Sequence, residues 1–270
     1  MLDLIVLGII QGLTEFLPVS STAHLLFAEH YLGLRRPGIT LEAALHLGTV
    51  AAAVALFWPD VVRLIRGGVT LLRRPLAIAR ASNPSDGYPR LAGVIVAATV
   101  VTAALGLTLA GPLERMFESV QGAAYQLLVT GAILLWNRER GTRSATEATM
   151  VDGLALGLAQ AVSIIPGISR SGITIVVGLA LGMRRTEAAR LSFLVGIPAI
   201  LGASLFGLKD LGVAAQLGYT PLGLMLGFAV AAAVGAATIL WLIDLVRRGR
   251  LIVFSAYCWL VGIVVLATTW

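Results

Sequence analysis

The chain has 270 residues, of which 58% are hydrophobic and 13% charged, with a formal net charge of +6. Soluble domains carry about 25% charged residues, so a globule of this size could not cover its surface with so few charges. The composition predicts an integral membrane protein and argues against a soluble enzyme, a disordered chain and a nucleic-acid-binding protein. The single cysteine, Cys258, excludes an intrachain disulfide and a thiolate metal cluster.

Six apolar stretches have the length of a membrane-spanning helix, which needs about 20 residues. They are 41–58, 91–110, 120–136, 191–208, 221–243 and 251–269. Two other apolar regions, 2–32 and 151–183, are interrupted in the middle by polar residues, glycine and proline. Irregular backbone at membrane depth is tolerated only where it is buried in protein or lines a cavity. We therefore predict an all-α polytopic membrane protein, one domain over 1–270, in which these two regions form re-entrant helix hairpins.

The charged connections predict how the chain crosses the membrane. The segments 59–90, 137–150 and 244–250 are rich in arginine, and the positive-inside rule places such segments in the cytoplasm. Both ends of the chain then lie outside. Hairpin 2–32 enters from the outside, and hairpin 151–183 enters from the inside.

The two halves of the chain follow the same plan. Each half, about 1–136 and about 151–270, consists of one hairpin and three spans, and the second half starts on the opposite side of the membrane. The segments GIIQGLTEFLPVS (8–20) and GLAQAVSIIPGIS (157–169) align without gaps and share a glycine, a glutamine and a serine. We expect an inverted-topology repeat, which places a functional site near the middle of the membrane where the hairpins meet.

The break in the first hairpin contains side chains that are costly to place inside a membrane. Gln11 and Glu15 lie four residues apart and therefore share one face of a helix. Ionisable groups at this depth are functional by default. Two oxygen ligands on one face suit a hard divalent cation such as Mg²⁺ or Ca²⁺, which also binds phosphate oxygens. The alternative for Glu15 is a buried, protonated carboxyl group that is hydrogen-bonded to a neighbour.

Three hydroxyl side chains and a histidine follow in the same hairpin. Ser20, Ser21 and Thr22 begin the next helix, whose free backbone N–H groups favour an anion, and Ser20 and Thr22 are predicted to bind phosphate. His24 comes shortly after them. The alternatives are simple helix capping for the hydroxyl groups and packing for His24. His46 has no comparable neighbours along the chain and is assigned to packing.

The break in the second hairpin has the composition of a phosphate cradle. Arg170 lies between two serines and is followed by glycine and the start of a helix. Its guanidinium can bind two phosphate oxygens, while hydroxyl and backbone N–H groups bind others. The predicted phosphate-binding residues here are Ser169, Ser171, Gly172 and Thr174. The alternative is a structural salt bridge from Arg170 to Glu15 across the hairpin contact, and the two roles are compatible.

Together the two breaks favour a phosphorylated ligand. A guanidinium, a carboxylate that can hold a cation, a hydroxyl nucleophile and a histidine are the groups that phosphoryl transfer requires. Because the site is predicted to lie inside a bilayer, we expect the organic part of the substrate to be a lipid.

Three runs of sequence resemble one known family. GLTEFLPVSSTAHL (12–25) and PGISRSGIT (166–174) look like the two signature motifs of bacterial undecaprenyl-diphosphate phosphatases of the bacitracin-resistance type, and SFLVGIPAILGA (192–203) resembles a later family segment. The resemblance implies a helical membrane enzyme that removes one phosphate from a polyprenyl diphosphate with the help of divalent cations. It also implies a place in the bacterial cytoplasmic (inner) membrane, with the site on the outer side. The activity would recycle the carrier lipid of peptidoglycan synthesis and so serve cell-wall biogenesis and bacitracin resistance.

The resemblance assigns roles to individual positions. It implies that Glu15 and Gln11 hold the cation, and Gln11 is the uncharged form of a position where the family also has glutamate. With Arg170, the cation would neutralise the diphosphate, while Ser21 or a water attacks the terminal phosphorus and His24 acts as general base or acid. A phosphoserine, a phosphohistidine at His24 and direct hydrolysis all stay open.

Two other classes of protein are alternatives. A polyprenyl-phosphate transporter or flippase would use the same inverted-repeat scaffold, whereas the buried charged groups argue against a purely structural protein. The expected partners are the polyprenyl diphosphate and the bilayer, with no nucleic acid. The patterns Gly178-x-x-x-Gly182 and Gly223-x-x-x-Gly227 permit close helix contacts, either between two copies in a homodimer or within the chain itself.

Overall fold

Helices account for most of the structure. The computed structural model describes residues 2–33, 38–73, 87–114, 119–139, 141–207 and 220–269. Within these ranges the chain forms eleven α-helices and no strand, and one isolated β-bridge joins Arg143 and Met183. The helices are α1 (Leu2–Thr14), α2 (Ser21–Leu32), α3 (Gly38–Leu56), α4 (Trp58–Arg73), α5 (Gly87–Glu114), α6 (Val120–Leu134), α7 (Met150–Val162), α8 (Arg170–Ala180), α9 (Arg185–Gly207), α10 (Pro221–Arg247) and α11 (Ile252–Thr269).

The long apolar helices confirm the prediction of an all-α polytopic membrane protein. Among the described residues, α5, α9, α10 and α11 are each long and apolar enough to cross a membrane, and α3 with α4 makes a fifth span if the bent pair is counted as one. The remaining predicted span, 120–136, corresponds to α6. With 15 residues, α6 is shorter than the roughly 17 residues that a span usually needs.

One predicted connection is in part a helix. The segment 59–90 was expected to be a charged loop, but its first part forms α4. The axis of α4 is bent by 88° from that of α3. Pro59 is accommodated because it lies in the first turn, where its missing N–H has no partner to lose. The arginines on α4, Arg63, Arg66 and Arg73, lie three and seven residues apart, which places them on one helix face.

Each of the two interrupted regions folds as a pair of short helices that pack against each other. α1 is followed by α2, and α7 by α8. Ser20 and Ser169 cap the second helix of each pair, since their side chains accept hydrogen bonds from the backbone of the first turn. The helix pairs agree with the sequence prediction, whereas their re-entrant course in the membrane remains a prediction.

The helices of the two halves pack in a crossed pattern. α1 packs on α10 and α7 packs on α5, while α3 contacts α9 and α6 contacts α11. Glycine permits both close crossings: a Cβ at Gly12 would lie 2.9 Å from the Ala231 carbonyl oxygen, and one at Gly157 would lie 2.8 Å from that of Ala98. Two-fold pseudo-symmetry would relate α1 on α10 to α7 on α5. The inverted repeat and its half boundaries stay predictions.

The glycines that were expected to permit a homodimer pack inside the protein. A Cβ at Gly178 would contact Ala188, and one at Gly227 would contact Leu45. Gly182 has a φ of 84° in the turn after α8, a backbone conformation that favours glycine. These patterns therefore lend no support to a dimer, which stays a prediction.

The break of the first hairpin is anchored in the main hydrophobic core. Phe16 is 1% exposed and packs edge-on against Phe193 of α9, with 5.6 Å between ring centroids. Because Phe16 follows Glu15 directly, its burial fixes the backbone that presents this carboxylate.

Candidate active site where the two hairpins meet

The carboxylate of Glu15 is the centre of the candidate site. Glu15 lies one residue beyond the end of α1 and is 7% exposed. The Gln11 Nε2 group donates a hydrogen bond to its Oε2 at 2.8 Å, and the Ser21 hydroxyl donates to the same oxygen at 2.7 Å. The predicted shared face of Gln11 and Glu15 is therefore formed, and the start of α2 is tied to it.

Arg170 reaches Glu15 from the second hairpin. Its Nη2 donates to Glu15 Oε1 at 2.6 Å, and the side chains of both residues are largely buried. The guanidinium rests on Gly196 of α9, where any Cβ would overlap Nη1. The salt bridge considered as the alternative for Arg170 is present. Because both charges lie away from water, removing either one leaves the other uncompensated.

His46 belongs to this cluster, contrary to its assignment to packing. Its Nε2 lies 3.4 Å from Glu15 Oε2, and its Nδ1 hydrogen-bonds the Glu42 carbonyl oxygen at 2.7 Å. A carbonyl oxygen only accepts, so Nδ1 carries a proton and Nε2 is the atom turned toward the carboxylate. A signal was available in the sequence, because an ionisable side chain inside a predicted span is functional by default.

His24 and Ser21 take different partners in the structure. His24 Nδ1 donates to the Ser20 carbonyl oxygen at 2.9 Å, and its Nε2 lies 2.8 Å from the Tyr257 hydroxyl. The ring of Tyr257 stacks on the imidazole with 10° between the planes. Ser21 donates to Glu15 instead. Ser21 and His24 therefore contact different groups, and the role of His24 as general base or acid stays a prediction. The contact with Tyr257 was not expected from the sequence.

The start of α2 is held in an unusual backbone conformation. Ser20 has a φ of 67° and is the non-glycine residue with positive φ among those described. Strained backbone of this kind persists where the surroundings enforce it, and it is concentrated at functional sites. Thr22 lies in the first turn of α2 and is partly exposed.

The hydroxyl groups of the second hairpin are engaged within the protein. Ser171 donates to the Leu17 carbonyl oxygen at 3.0 Å, which ties α8 to the break of the first hairpin. The hydroxyls of Thr174 and Ser192 lie 2.6 Å apart and join α8 to α9. Ser171 therefore ties the two hairpins together, and Thr174 ties the second hairpin to α9. The phosphate-binding role of both residues stays a prediction.

Ser169 and Gly172 form the N-terminal turn of α8. The Ser169 N–H donates to Thr130 Oγ1 at 3.0 Å, and its hydroxyl accepts from the Gly172 N–H at 3.2 Å. A Cβ at Gly172 would come within 3.2 Å of Pro18, so glycine here allows the two breaks to touch. The turn of α8 therefore lies beside the first hairpin, and its role as a phosphate cradle stays a prediction.

The donor set of the site fits a divalent cation only in part. Gln11 Oε1 is buried without a hydrogen-bond partner, and it shares a helix face with the Glu15 carboxylate. Amide and carboxylate oxygens are the ligands that hard cations prefer. The described part of the chain contains no group of three or more histidine, cysteine, aspartate or glutamate residues that could hold a metal ion. The protein can therefore supply a small number of oxygen ligands, and the others would have to come from substrate and water.

The fold and the site together define a polytopic membrane protein with a buried cluster of acid–base groups. A buried carboxylate–guanidinium pair, a hydroxyl and an imidazole lie at the contact of two interrupted helix pairs in a polytopic membrane protein. These are groups that can bind an oxyanion and move a proton to or from it.

Comparison with known proteins agrees with this class. The family model described as bacitracin resistance protein BacA matches residues 4–264, and the chain belongs to this family. A protein of Methanobrevibacter smithii named undecaprenyl-diphosphatase is 37% identical over 265 residues, which cover 97% of this chain and 95% of the relative. One of the same name from Myxococcus xanthus is 40% identical over 270 residues, covering 98% and 88%. The family expected from the sequence motifs is confirmed.

Proposed function

We propose that the protein is a membrane phosphatase that hydrolyses undecaprenyl diphosphate to undecaprenyl phosphate and inorganic phosphate. The observation that carries this proposal is the Glu15–Arg170 pair between the hairpins, with the Ser21 hydroxyl on the same carboxylate. The relatives named undecaprenyl-diphosphatase support the substrate. The product is the carrier lipid of peptidoglycan synthesis, so the activity serves cell-wall biogenesis and gives resistance to bacitracin.

Arg170 and Ser21 act on the terminal phosphate. The guanidinium binds its oxygens through N–H groups that are not donated to Glu15. In the covalent route, Ser21 Oγ attacks the terminal phosphorus and the bond to the bridging oxygen breaks, so that the lipid monophosphate leaves. The Ser21 proton passes to Glu15 Oε2, which is 2.7 Å away. Water then hydrolyses the serine ester. In the direct route, Ser21 positions the attacking water.

His24 is the second proton-transfer group. Its Nδ1 is committed to the Ser20 carbonyl oxygen, so any exchange with substrate or water passes through Nε2. Tyr257 holds this atom at 2.8 Å and sets the plane of the ring by stacking. His24 therefore serves as general acid or base for a substrate or water oxygen. That oxygen either displaces the Tyr257 hydroxyl from Nε2 or contacts Nε2 beside it.

A divalent cation, Mg²⁺ or Ca²⁺, is part of the proposal. Gln11 and Glu15 would hold it, and the unpartnered Gln11 Oε1 supports this assignment. The cation supplies neutralisation of the diphosphate charge when it is bound. Mg²⁺ commonly uses one or two carboxylates together with substrate phosphate oxygens, which suits a site with so few protein ligands.

The N-terminal turns of α2 and α8 complete the phosphate site. Helix N-termini present free N–H groups and a positive dipole end to an anion. The residues assigned to this role are Ser20 and Thr22 on the first hairpin and Ser169, Ser171, Gly172 and Thr174 on the second. The buried members act by holding the turn of α8 in place, as their hydrogen bonds to Leu17 and Thr130 support.

We place the enzyme in the cytoplasmic membrane with the site on its outer side. The arginine-rich segments support this orientation through the positive-inside rule. The alternative function, a polyprenyl-phosphate transporter or flippase, finds no support in the comparisons, where the relatives are named as diphosphatases.

The test is phosphate release from undecaprenyl or farnesyl diphosphate by the purified protein, with and without EDTA. We expect release that needs a divalent cation and is lost in Ser21→Ala, whereas Thr70→Ala, an exposed hydroxyl on α4, keeps the full rate. A folded preparation that releases no phosphate with Mg²⁺ or Ca²⁺ would refute the activity. Release that persists in EDTA would refute the metal assignment alone.

Rapid quenching with substrate labelled at the terminal phosphate distinguishes the two routes. The covalent route predicts label on the wild-type protein and none on Ser21→Ala. Label that survives in Ser21→Ala and disappears in His24→Ala would assign the intermediate to His24. Turnover without label on the protein would establish direct hydrolysis.

A further inference from the structure

Helix α4 runs almost perpendicular to the preceding helix, α3. It follows α3 after a break of a single residue and runs at 88° to it, whereas a spanning helix would continue through the membrane. If α3 is steeply inclined to the membrane plane, α4 must lie close to that plane. Three stripes of side chains, each with the three-and-four spacing of a helix face, run along it.

The first stripe fixes α4 to the protein. It consists of Asp60, Leu64, Gly67 and Leu71. Asp60 accepts hydrogen bonds from the Arg190 guanidinium on α9 and from the Tyr88 hydroxyl on α5, the latter at 2.6 Å. At Gly67 a Cβ would lie 2.8 Å from the backbone of Tyr88. The rotation of α4 about its own axis is therefore set by the protein.

The second stripe is apolar and faces away from the protein. It consists of Trp58, Val62, Ile65, Val69 and Leu72. Leu72 is 84% exposed, Ile65 60% and Trp58 58%. Apolar side chains presented in one row, with a tryptophan at the end, are typical of a helix that lies in the interface of a bilayer.

The third stripe is basic and lies between the other two on the polar side. It consists of Arg63, Arg66 and Arg73, with Thr70 completing the row, and all four are exposed. Arg63 donates to the Tyr88 hydroxyl at 3.3 Å. Among the described residues, the salt bridges include neither Arg66 nor Arg73. Two guanidinium groups are thus held at the edge of the apolar row without an acidic partner in the described part of the chain.

We propose that α4 is an in-plane helix that binds the headgroups of anionic phospholipids through Arg66 and Arg73. The apolar row lies among the acyl chains at the depth of about 5–10 Å that amphipathic helices reach. The guanidinium groups then lie at headgroup level, where they bind phosphate oxygens in pairs. The ligand is a lipid of the bilayer itself, and the site is distinct from the cluster around Glu15.

The charge pattern favours a lipid surface over a second copy of the chain. A two-fold dimer through the apolar row would bring the same stripes of both copies together. The arginines would then flank one contact from both sides and repel each other. An anionic headgroup layer neutralises them instead, at a contribution of about 1 kcal/mol for each arginine.

A nitroxide label tests the depth and orientation of α4. The native Cys258 is buried, so Leu72→Cys and Thr70→Cys each provide one reactive thiol on opposite sides of the helix. In nanodiscs containing phosphatidylglycerol, we expect the label at position 72 to be relaxed by oxygen and shielded from a water-soluble nickel chelate, with the reverse at position 70. Chelate access at both positions would overturn the proposal. Spin–spin broadening at position 72 would also overturn it, in favour of a second copy.

The headgroup preference is tested by the double variant Arg66→Gln/Arg73→Gln. We expect the affinity for phosphatidylglycerol, measured by native mass spectrometry against phosphatidylcholine, to fall about fivefold for each arginine removed. The matched control is Arg247→Gln/Arg250→Gln, which removes the same charge at the end of α10, and the lysine pair Arg66→Lys/Arg73→Lys should retain most of the binding. An equal loss in the control, or no lipid preference in the wild type, would refute the site.

Discussion

The two hairpins have the same helix–break–helix arrangement but differ at the position of the buried carboxylate. In the ungapped alignment Gln11 matches Gln160, and both amides are buried with an unpartnered Oε1. Gln11 donates its N–H to Glu15, whereas Gln160 donates to Thr102 at 3.2 Å. Four residues further on, the first hairpin has Glu15 and the second has Ile164. The same buried amide supports a carboxylate in one hairpin and a helix contact in the other.

The second helices of the hairpins show the complementary difference. Ser20 and Ser169 occupy matching positions and both cap a helix. The next residue is Ser21 in the first hairpin and Arg170 in the second, and both side chains end at the carboxylate of Glu15. The carboxylate and the hydroxyl thus lie on one hairpin and the guanidinium on the other, so the proposed anion site needs both hairpins.

The largest expected effect comes from removing one charge of the pair between the hairpins. Glu15→Gln and Arg170→Gln should each lower the rate of phosphate release by at least about 10²-fold. A donor aimed at developing charge, as proposed for Arg170, and a group that accepts a proton, as proposed for Glu15, are each worth about that much. The measurement is the initial rate at saturating substrate and cation. Wild-type rates in either variant would contradict the site assignment.

The double variant Glu15→Gln/Arg170→Gln separates chemistry from folding. Breaking a buried ion pair on one side costs about 3–5 kcal/mol, while removing both charges avoids an uncompensated charge. We expect the thermal unfolding midpoint in detergent to fall in each single variant and to recover in the double variant. Activity should stay lost. Recovery of both stability and activity would show that the pair is only structural.

The next largest effect on activity is expected at Gly196, against which the Arg170 guanidinium packs. Gly196→Ala places a Cβ where Arg170 Nη1 lies, so the arginine must move away from Glu15. We expect a loss of about 10–10²-fold in kcat, since a displacement of about 1 Å at a catalytic group has this cost. Gly202→Ala on the same helix is the matched control, because no atom lies within 4 Å of its Cβ. An equal effect of both substitutions would point to the helix rather than to the guanidinium.

The two buried glutamines test whether the hairpins differ in metal binding. Gln11→Leu should raise the cation concentration for half-maximal activity by about tenfold or more, the range seen when groups that support a metal site are removed. Gln160→Leu removes the matching amide from the second hairpin and should leave this concentration unchanged. A shift of the same size in both variants would locate the effect in hairpin packing.

Much of the helical architecture could be predicted from the sequence. Helix length, the two interrupted regions and the caps at Ser20 and Ser169 depend on local residue pattern, and the structure contains them. The meeting of Glu15 with Arg170 was also foreseeable. Charged groups at membrane depth need a partner, and these two break residues offered opposite charges.

The rest of the site depends on how the helices are rotated against each other. His46 lies on α3 and Tyr257 on α11, and the latter is separated from His24 by 233 residues. No local pattern specifies such contacts, because they follow from the packing of distant helices. The amphipathic α4 was not predicted for another reason: a row of arginines fits a charged cytoplasmic loop as well as the polar face of a helix.

The smallest effect is expected at Tyr257, which positions His24 without belonging to either hairpin. Tyr257→Phe removes the hydroxyl that lies 2.8 Å from Nε2 but keeps the stacked ring. One hydrogen bond contributes about 1 kcal/mol, so kcat should fall about fivefold with KM and the unfolding midpoint unchanged. Tyr125→Phe, at a tyrosine that is 48% exposed on α6, is the control. If KM rises while kcat is kept, Tyr257 contacts the substrate, and orientation of the imidazole is then not its role.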